Sequence, residues 1–267
     1  MSLLSSFLFP SPPSIFITAM SVIFVPLSAI FGIFEIKGIH LKFSKFLNVS
    51  SQKAISRSKV IKLSSRTGML TFYIPAFLAA VLSLGFFPNN ELRFKLIVVA
   101  LTIHFSKRIF EVLFVHKYSG GMSLDTAILI SFSLCFSSVT MIYNQHLTQN
   151  IPEPSLDLKY VGVVLHLLGI IGNFYHHNIL ANLREKDDKG YKIPKGCLFN
   201  LVVCPHYLFE VLDFLGVSFI SQTVYPFCFT VGSTLYLMGR SYATRKWYLS
   251  KFPNFPKEVK AMIPYVF

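Results

Sequence analysis

The chain has 267 residues, of which 53% are hydrophobic and 15% aromatic, and its mean hydropathy is +0.56. That is too apolar for an ordinary water-soluble domain and points to a polytopic membrane protein. The net charge of +13 is spread over separate loops with no nucleic-acid-binding motif among them, which argues against a nucleic-acid partner and leaves membrane lipids, with their anionic headgroups, as the natural counter-surface.

In chain order, the first element is a span over Ser14–Phe34, inside a stretch that carries no charged side chain from Met1 to Phe34. It is long enough to cross a hydrocarbon core about 30 Å thick. A cleaved signal peptide is the rival, but the stretch has no basic n-region and is too long for an h-region. Further spans are expected over Thr67–Phe87, Lys95–Val115, Leu124–Tyr143, Tyr160–Leu180, Leu198–Gly216 and Val217–Gly239, which makes seven with the first, the third (Lys95–Val115) and sixth (Leu198–Gly216) being amphipathic. The predicted fold is therefore all-α, a single seven-span membrane domain over residues 1–267.

Charge sets the topology of these spans. The segment from Glu35 to Arg66 holds eight Lys or Arg against one Glu, the tail from Arg240 holds six against one, and Asn144 to Asp157 holds none. By the positive-inside rule the first two lie in the cytosol and the acidic loop lies across the membrane.

Polar side chains recur at helical spacing inside the later spans. Asn173, His177 and Arg184 share one face, as do His206, Glu210 and Asp213, and Arg240, Thr244 and Tyr248 form a third row. The third span adds His104, Lys107, Arg108 and Glu111, which should face the bundle interior. An ionisable group costs about 2.5 to 3.5 kcal/mol at a spanning helix centre unless it meets a partner, water or ligand, so the rows predict one polar cavity. The four cysteines have no paired spacing, and three sit in apolar runs where they read as core residues. No metal site is expected: the adjacent pair His176 and His177 would point about 100° apart on a helix.

The run Leu183-Arg184, then Gly190-Tyr191-Lys192-Ile193-Pro194-Lys195-Gly196, Leu198-Phe199, Cys204-Pro205-His206-Tyr207 and Glu210 resembles the steroid 5α-reductase family. The likeness continues through Arg240, Trp247-Tyr248, Lys251-Phe252 and Pro256-Lys257 to Phe267. It implies a seven-helix reductase of the endoplasmic reticulum, with a cytosolic C-terminus, that binds NADPH and delivers hydride to a polarised carbon–carbon double bond. Residues 1–115 would then form the substrate side and 116–267 the NADPH-binding region. The family's cofactor contacts fall on Asn173, Arg184, Tyr191, Glu210, Arg240 and Tyr248. His177 and His206 stand where steroid-reducing members often place Asp and Asn. Lys107, Arg108, Arg184, Lys192 and Arg240 at the cytosolic ends supply the positive charge that a dinucleotide's phosphates need. No glycine-rich fingerprint is present, so a Rossmann domain is not the carrier.

The N-terminal half departs from the steroid pattern. Where steroid reductases place a Gln-Glu pair before a Pro, Phe72 and Tyr73 precede Pro75, and a later Tyr is replaced by Phe105. Tyr73 remains a candidate donor to a carbonyl oxygen. The segment from His104 to Glu111 also resembles the very-long-chain enoyl-CoA reductase branch, which implicates Lys107 and Tyr207 in catalysis. The expected activity is reduction of an α,β-unsaturated carbonyl lipid, foremost a 3-oxo-Δ4 steroid. The alternatives are a very-long-chain trans-2-enoyl-CoA, a polyprenol, or a non-catalytic role in lipid or cofactor binding.

Overall fold

Long apolar runs without charge leave the backbone only one way to satisfy its own N–H and C=O groups, and the chain is accordingly 70% helical. The computed structural model describes residues 6–12, 14–49, 61–88, 91–118, 120–183 and 190–267. The long helices are α1 (Ile15–Ile36), α2 (Ser65–Phe86), α3 (Leu92–Phe110), α4 (Leu124–His146), α5 (Lys159–Asn182), α6 (Pro205–Ser221) and α7 (Val224–Lys251). Three of them, α1, α2 and α4, are long and apolar enough to cross a membrane. The outward faces are greasy as well: Ile15 is 91% exposed and Phe114 73%.

Local signals set the helix ends. Ser14 and Ser64 cap α1 and α2 by accepting from Ile17 N (3.4 Å) and Thr67 N (3.1 Å). Pro205 lies in the first turn of α6. The sixth and seventh spans were expected to meet between Gly216 and Val217, but the break falls later. Helix α6 runs on to Ser221, and Gln222 then takes a left-handed φ of 49°. Gly216 is a packing residue instead: a Cβ there would lie 2.3 Å from His166 N. Likewise Leu198 opens no long helix, since Cys197–Asn200 is a single 3-10 turn.

Helix α5 packs along α6, and α1 along α7. Both crossings are close because small residues face backbone, as at Gly239, where a Cβ would come within 2.2 Å of Gly32 O. A two-stranded antiparallel ribbon, β1 (Lys62–Ser64) with β2 (Gly121–Ser123), pairs Leu63 with Met122 and leads directly into α2 and α4. The C-terminal tail returns to the turn before α6 through a bridge between Val202 and Lys260.

Cross-bundle contacts show how the ends assemble. The C-terminal parts of α1, α3, α5 and α7 meet the N-terminal parts of α2 and α6 at one end, through Glu35 with Arg240, Arg108 with Tyr73, and Asn173 with His206. At the other end Arg93 is 1% exposed and donates to Glu153, Asp157, Ile220 O and Gln222. It ties α3 to the acidic loop and to the α6–α7 turn.

Candidate active site

The end of the bundle where Glu35 meets Arg240 also holds a cluster of buried polar residues. Helix α3 ends in a π-helical turn, Glu111–Val115, a form often found at functional positions. Glu111 is fully buried there, a position a carboxylate holds only when paired. It accepts from Lys107 Nζ at 2.9 Å, from Arg108 at 3.2 Å and from His177 Nδ1 at 2.9 Å. Lys107 and Arg108 lie four and three residues before Glu111 on the same helix face, so the helix itself delivers both cations.

Four further residues complete this node. Lys107 Nζ also donates to Asn173 Oδ1, while Asn173 Nδ2 donates to the backbone oxygen of His206 at 2.7 Å. Arg108 donates to the Tyr73 hydroxyl at 2.6 Å, lies 4.9 Å from the centre of that ring, and reaches 4.0 Å from Glu210. Tyr73, Lys107, Arg108, Asn173, His177, His206 and Glu210 are thus brought together from α2, α3, α5 and α6.

A second group lies beside it. Arg240, 2% exposed, donates to Glu35 at 2.8 Å and is sandwiched between Phe43 and Phe46, each ring centre 4.2 Å away. Glu35 in turn accepts from Leu41 N and is 2.6 Å from His40 Nδ1. Tyr248 stacks between Phe252 and Phe255, and Tyr191 meets Trp247 edge-on at 4.9 Å. Tyr207 packs on this side, against the cluster of Val203, Cys204 and Tyr248. Lys107, the residue implicated together with it, bonds with Glu111 and Asn173. Lys192, next in the chain to Tyr191, is exposed, whereas Arg184 lies outside the described residues.

Glu35, Lys45 and His116 are not marked out by the sequence, and Glu111 and Asp213 only as members of polar rows. Glu111 was placed facing the interior but given no role, although a carboxylate at i+4 from Lys107 inside an apolar run is the signal for one. Glu35 carried a similar signal as the sole acid next to a charge-free span. Lys45 lies 5.3 Å from the Trp247 ring centre and 5.2 Å from that of Tyr248, and burial followed by the charge of Arg240 lowers its pKa to about 8. His116 packs on His177 at 4.9 Å, and burial, with Arg108 next, lowers its pKa to about 4. Asp213, 2% exposed, holds His104 Nδ1 at 2.6 Å and His166 Nδ1 at 2.5 Å, one helical turn below Glu210.

Glu111, His116 and His177 offer ligand atoms within 4.8 Å of one another, a spacing that suits a metal ion. Both oxygens of Glu111 are already taken by Lys107 and Arg108, however, and two adjacent cations repel a dication. The residues fit an anionic, hydrogen-bonding ligand better. Arg108 Nε and His206 Nδ1 are buried with no partner among the described residues, and Lys107, Arg108 and Lys45 supply positive charge.

The model of the family described as 3-oxo-5-alpha-steroid 4-dehydrogenase matches residues 122–267. A very-long-chain enoyl-CoA reductase of Dictyostelium discoideum is 30% identical over 176 residues, covering 64% of this chain and 58% of the relative. The steroid 5-alpha-reductase DET2 of Gossypium hirsutum is 37% identical over 107 residues, 40% of this chain and 42% of its own. The human 3-oxo-5-alpha-steroid 4-dehydrogenase 1 is 33% identical over 139 residues, 52% and 54% of the two chains. The matched region thus spans about half the length of each of these relatives.

Proposed function

Because the chain belongs to the 3-oxo-5-alpha-steroid 4-dehydrogenase family, we propose that it is a membrane-embedded reductase of the carbon–carbon double bond in an α,β-unsaturated carbonyl lipid. NADPH is the proposed cofactor and a 3-oxo-Δ4 steroid the proposed substrate. The reading also takes all seven long helices as spans in the endoplasmic reticulum membrane with the C-terminus in the cytosol. Residues 1–115 lie on the substrate side and 116–267 on the cofactor side.

The observation that carries this reading is the Tyr73, Arg108 and Glu111 node with Lys107 and Asn173 beside it. The cofactor, when bound, would supply hydride to the β-carbon of the double bond. Asn173, His177, His206, Glu210 and Arg108 would hold its amide and ribose end by hydrogen bonds, and Arg240, Tyr191, Lys192, Arg184 and Tyr248 the phosphate and adenosine end. Arg108 donates to the Tyr73 oxygen and so leaves the phenolic proton for an outside acceptor. A substrate carbonyl accepting a hydrogen bond from that hydroxyl would develop negative charge as hydride adds to the β-carbon, and the proton would then pass to it while the guanidinium stabilises the phenolate left on Tyr73. Lys107 is the second proton carrier, held by Glu111 and Asn173.

A long-chain trans-2-enoyl-CoA is the second reading. It is favoured by Lys107, the residue this branch implicates, lying inside the node, and by Phe105 where steroid reducers carry Tyr. Membranes containing the protein, given NADPH and either a 3-oxo-Δ4 steroid or a long-chain trans-2-enoyl-CoA, separate the two by NADPH loss and product mass. Oxidation with the steroid alone supports the first reading, oxidation with the CoA ester alone supports the second, and no reaction with either removes both.

A further inference from the structure

A cavity of about 160 Å³ lies at the opposite end of the bundle, between the segment before α1, the start of α1, the end of α4 and the α6–α7 turn. Arg240 is sixteen residues along α7 from Val224 on its wall, so the cavity is about 24 Å from the candidate active site at 1.5 Å per residue. Phe9, Pro12, Ile17 and Val22 give it apolar walls, and Asn144 and Thr223 give it a polar patch.

That patch has an unmet requirement. Asn144 is fully buried, its Nδ2 donates to Thr223 Oγ1 at 3.0 Å, and its Oδ1 has no donor among the described residues. Thr223 Oγ1 is also engaged with Ser221 Oγ at 2.6 Å. The neighbouring hydroxyls cannot help, because Thr18 Oγ1 donates to Ser14 O and Ser21 Oγ to Ile17 O within their own helix. A buried acceptor left without a donor is unfavourable, and native proteins seldom keep one.

We propose that this cavity binds the head of a lipid alcohol, whose hydroxyl donates to Asn144 Oδ1. One donor on an otherwise apolar body is what the walls request. A carbonyl lipid offers only an acceptor and would leave Asn144 unmet, so the site discriminates an alcohol from the corresponding ketone. The volume matches cavities that admit one six-membered ring, so it takes the hydroxyl and the first ring or half-dozen carbons. The remainder leaves past Val22, which is 66% exposed and marks the mouth on the lipid-facing side.

The test uses the full chain in lipid nanodiscs with a diazirine-bearing hexadecanol and the matching diazirine-bearing methyl ketone, mapping crosslinks by mass spectrometry. The alcohol should label the Phe9–Val22 and Thr223–Val224 segments at least fivefold more than the ketone, and Asn144→Leu should abolish that preference. Val22→Trp, which plugs the mouth and leaves the buried network intact, should reduce labelling by both probes and serves if Asn144→Leu fails to fold. Equal labelling by alcohol and ketone, or a preference that survives Asn144→Leu, would overturn the proposal and leave a water-filled cavity.

Discussion

Arg108 donates to the Tyr73 hydroxyl at 2.6 Å while its guanidinium lies 4.9 Å from the centre of the same ring, so one cation grips both the oxygen and the π-face of the only tyrosine in α2. The contact aligns the phenol and directs its own proton away from the arginine. Tyr73→Phe keeps the ring contact and removes the hydroxyl. Turnover in that variant should fall by about 10²-fold, the usual contribution of a positioned proton donor, while the NADPH dissociation constant stays within about twofold. An unchanged turnover number would take Tyr73 out of the chemistry.

Glu111 is the one buried acid that Lys107, Arg108 and His177 all address. Replacing it by Gln leaves two cations without their counter-charge in a region closed to water. Breaking such a node costs about 3 to 5 kcal/mol. Glu111→Gln should therefore lower the unfolding temperature in detergent by far more than a surface change such as Glu258→Gln, and it should weaken NADPH binding only through that loss.

The helices were legible in the amino-acid order because long apolar runs are a local signal. The end of α6 was not, because Gly216 reads as a break until α5 is known to press against it. Residues of the node on one helix, Lys107, Arg108 and Glu111, announced themselves by spacing. The pair Glu35 and Arg240, 205 residues apart, has no such signature. Nor has Asp213 with His104 and His166, since three helices must pack before those side chains meet. Tyr207 packs against the cluster of Val203, Cys204 and Tyr248 for the same reason: the helix face is periodic, but its partner is chosen by packing.

Arg240 has two duties to separate, as Glu35 already neutralises it. Arg240→Ala strands a carboxylate that is 1% exposed, so the variant should lose thermal stability. Adding Glu35→Gln removes the stranded charge and should restore most of it. If Arg240 also holds the cofactor, the double variant should still bind NADPH at least tenfold more weakly than the parent, as Asn173→Ala should from the other side of the site. Normal NADPH affinity in the refolded double variant would make Arg240 a purely structural ion.

Lys45 ties the two groups to pH. Its ammonium sits over Phe46, Trp247 and Tyr248, and burial, followed by Arg240, brings its pKa from the ordinary lysine value down to about 8. Between about 8 and the unfolded value the unfolded chain holds the extra proton, so this group makes the fold more stable as pH rises through that window. Phosphate binding runs the other way. An anion needs Lys45 protonated, so NADPH affinity should be flat below pH 7.5 and fall above pH 8, by at most about tenfold per unit for one proton taken up. Lys45→Arg stays charged throughout and should flatten the profile, whereas Lys45→Gln should bind weakly at every pH. A wild-type affinity that is constant from pH 7 to 9.5 would place Lys45 outside the cofactor site.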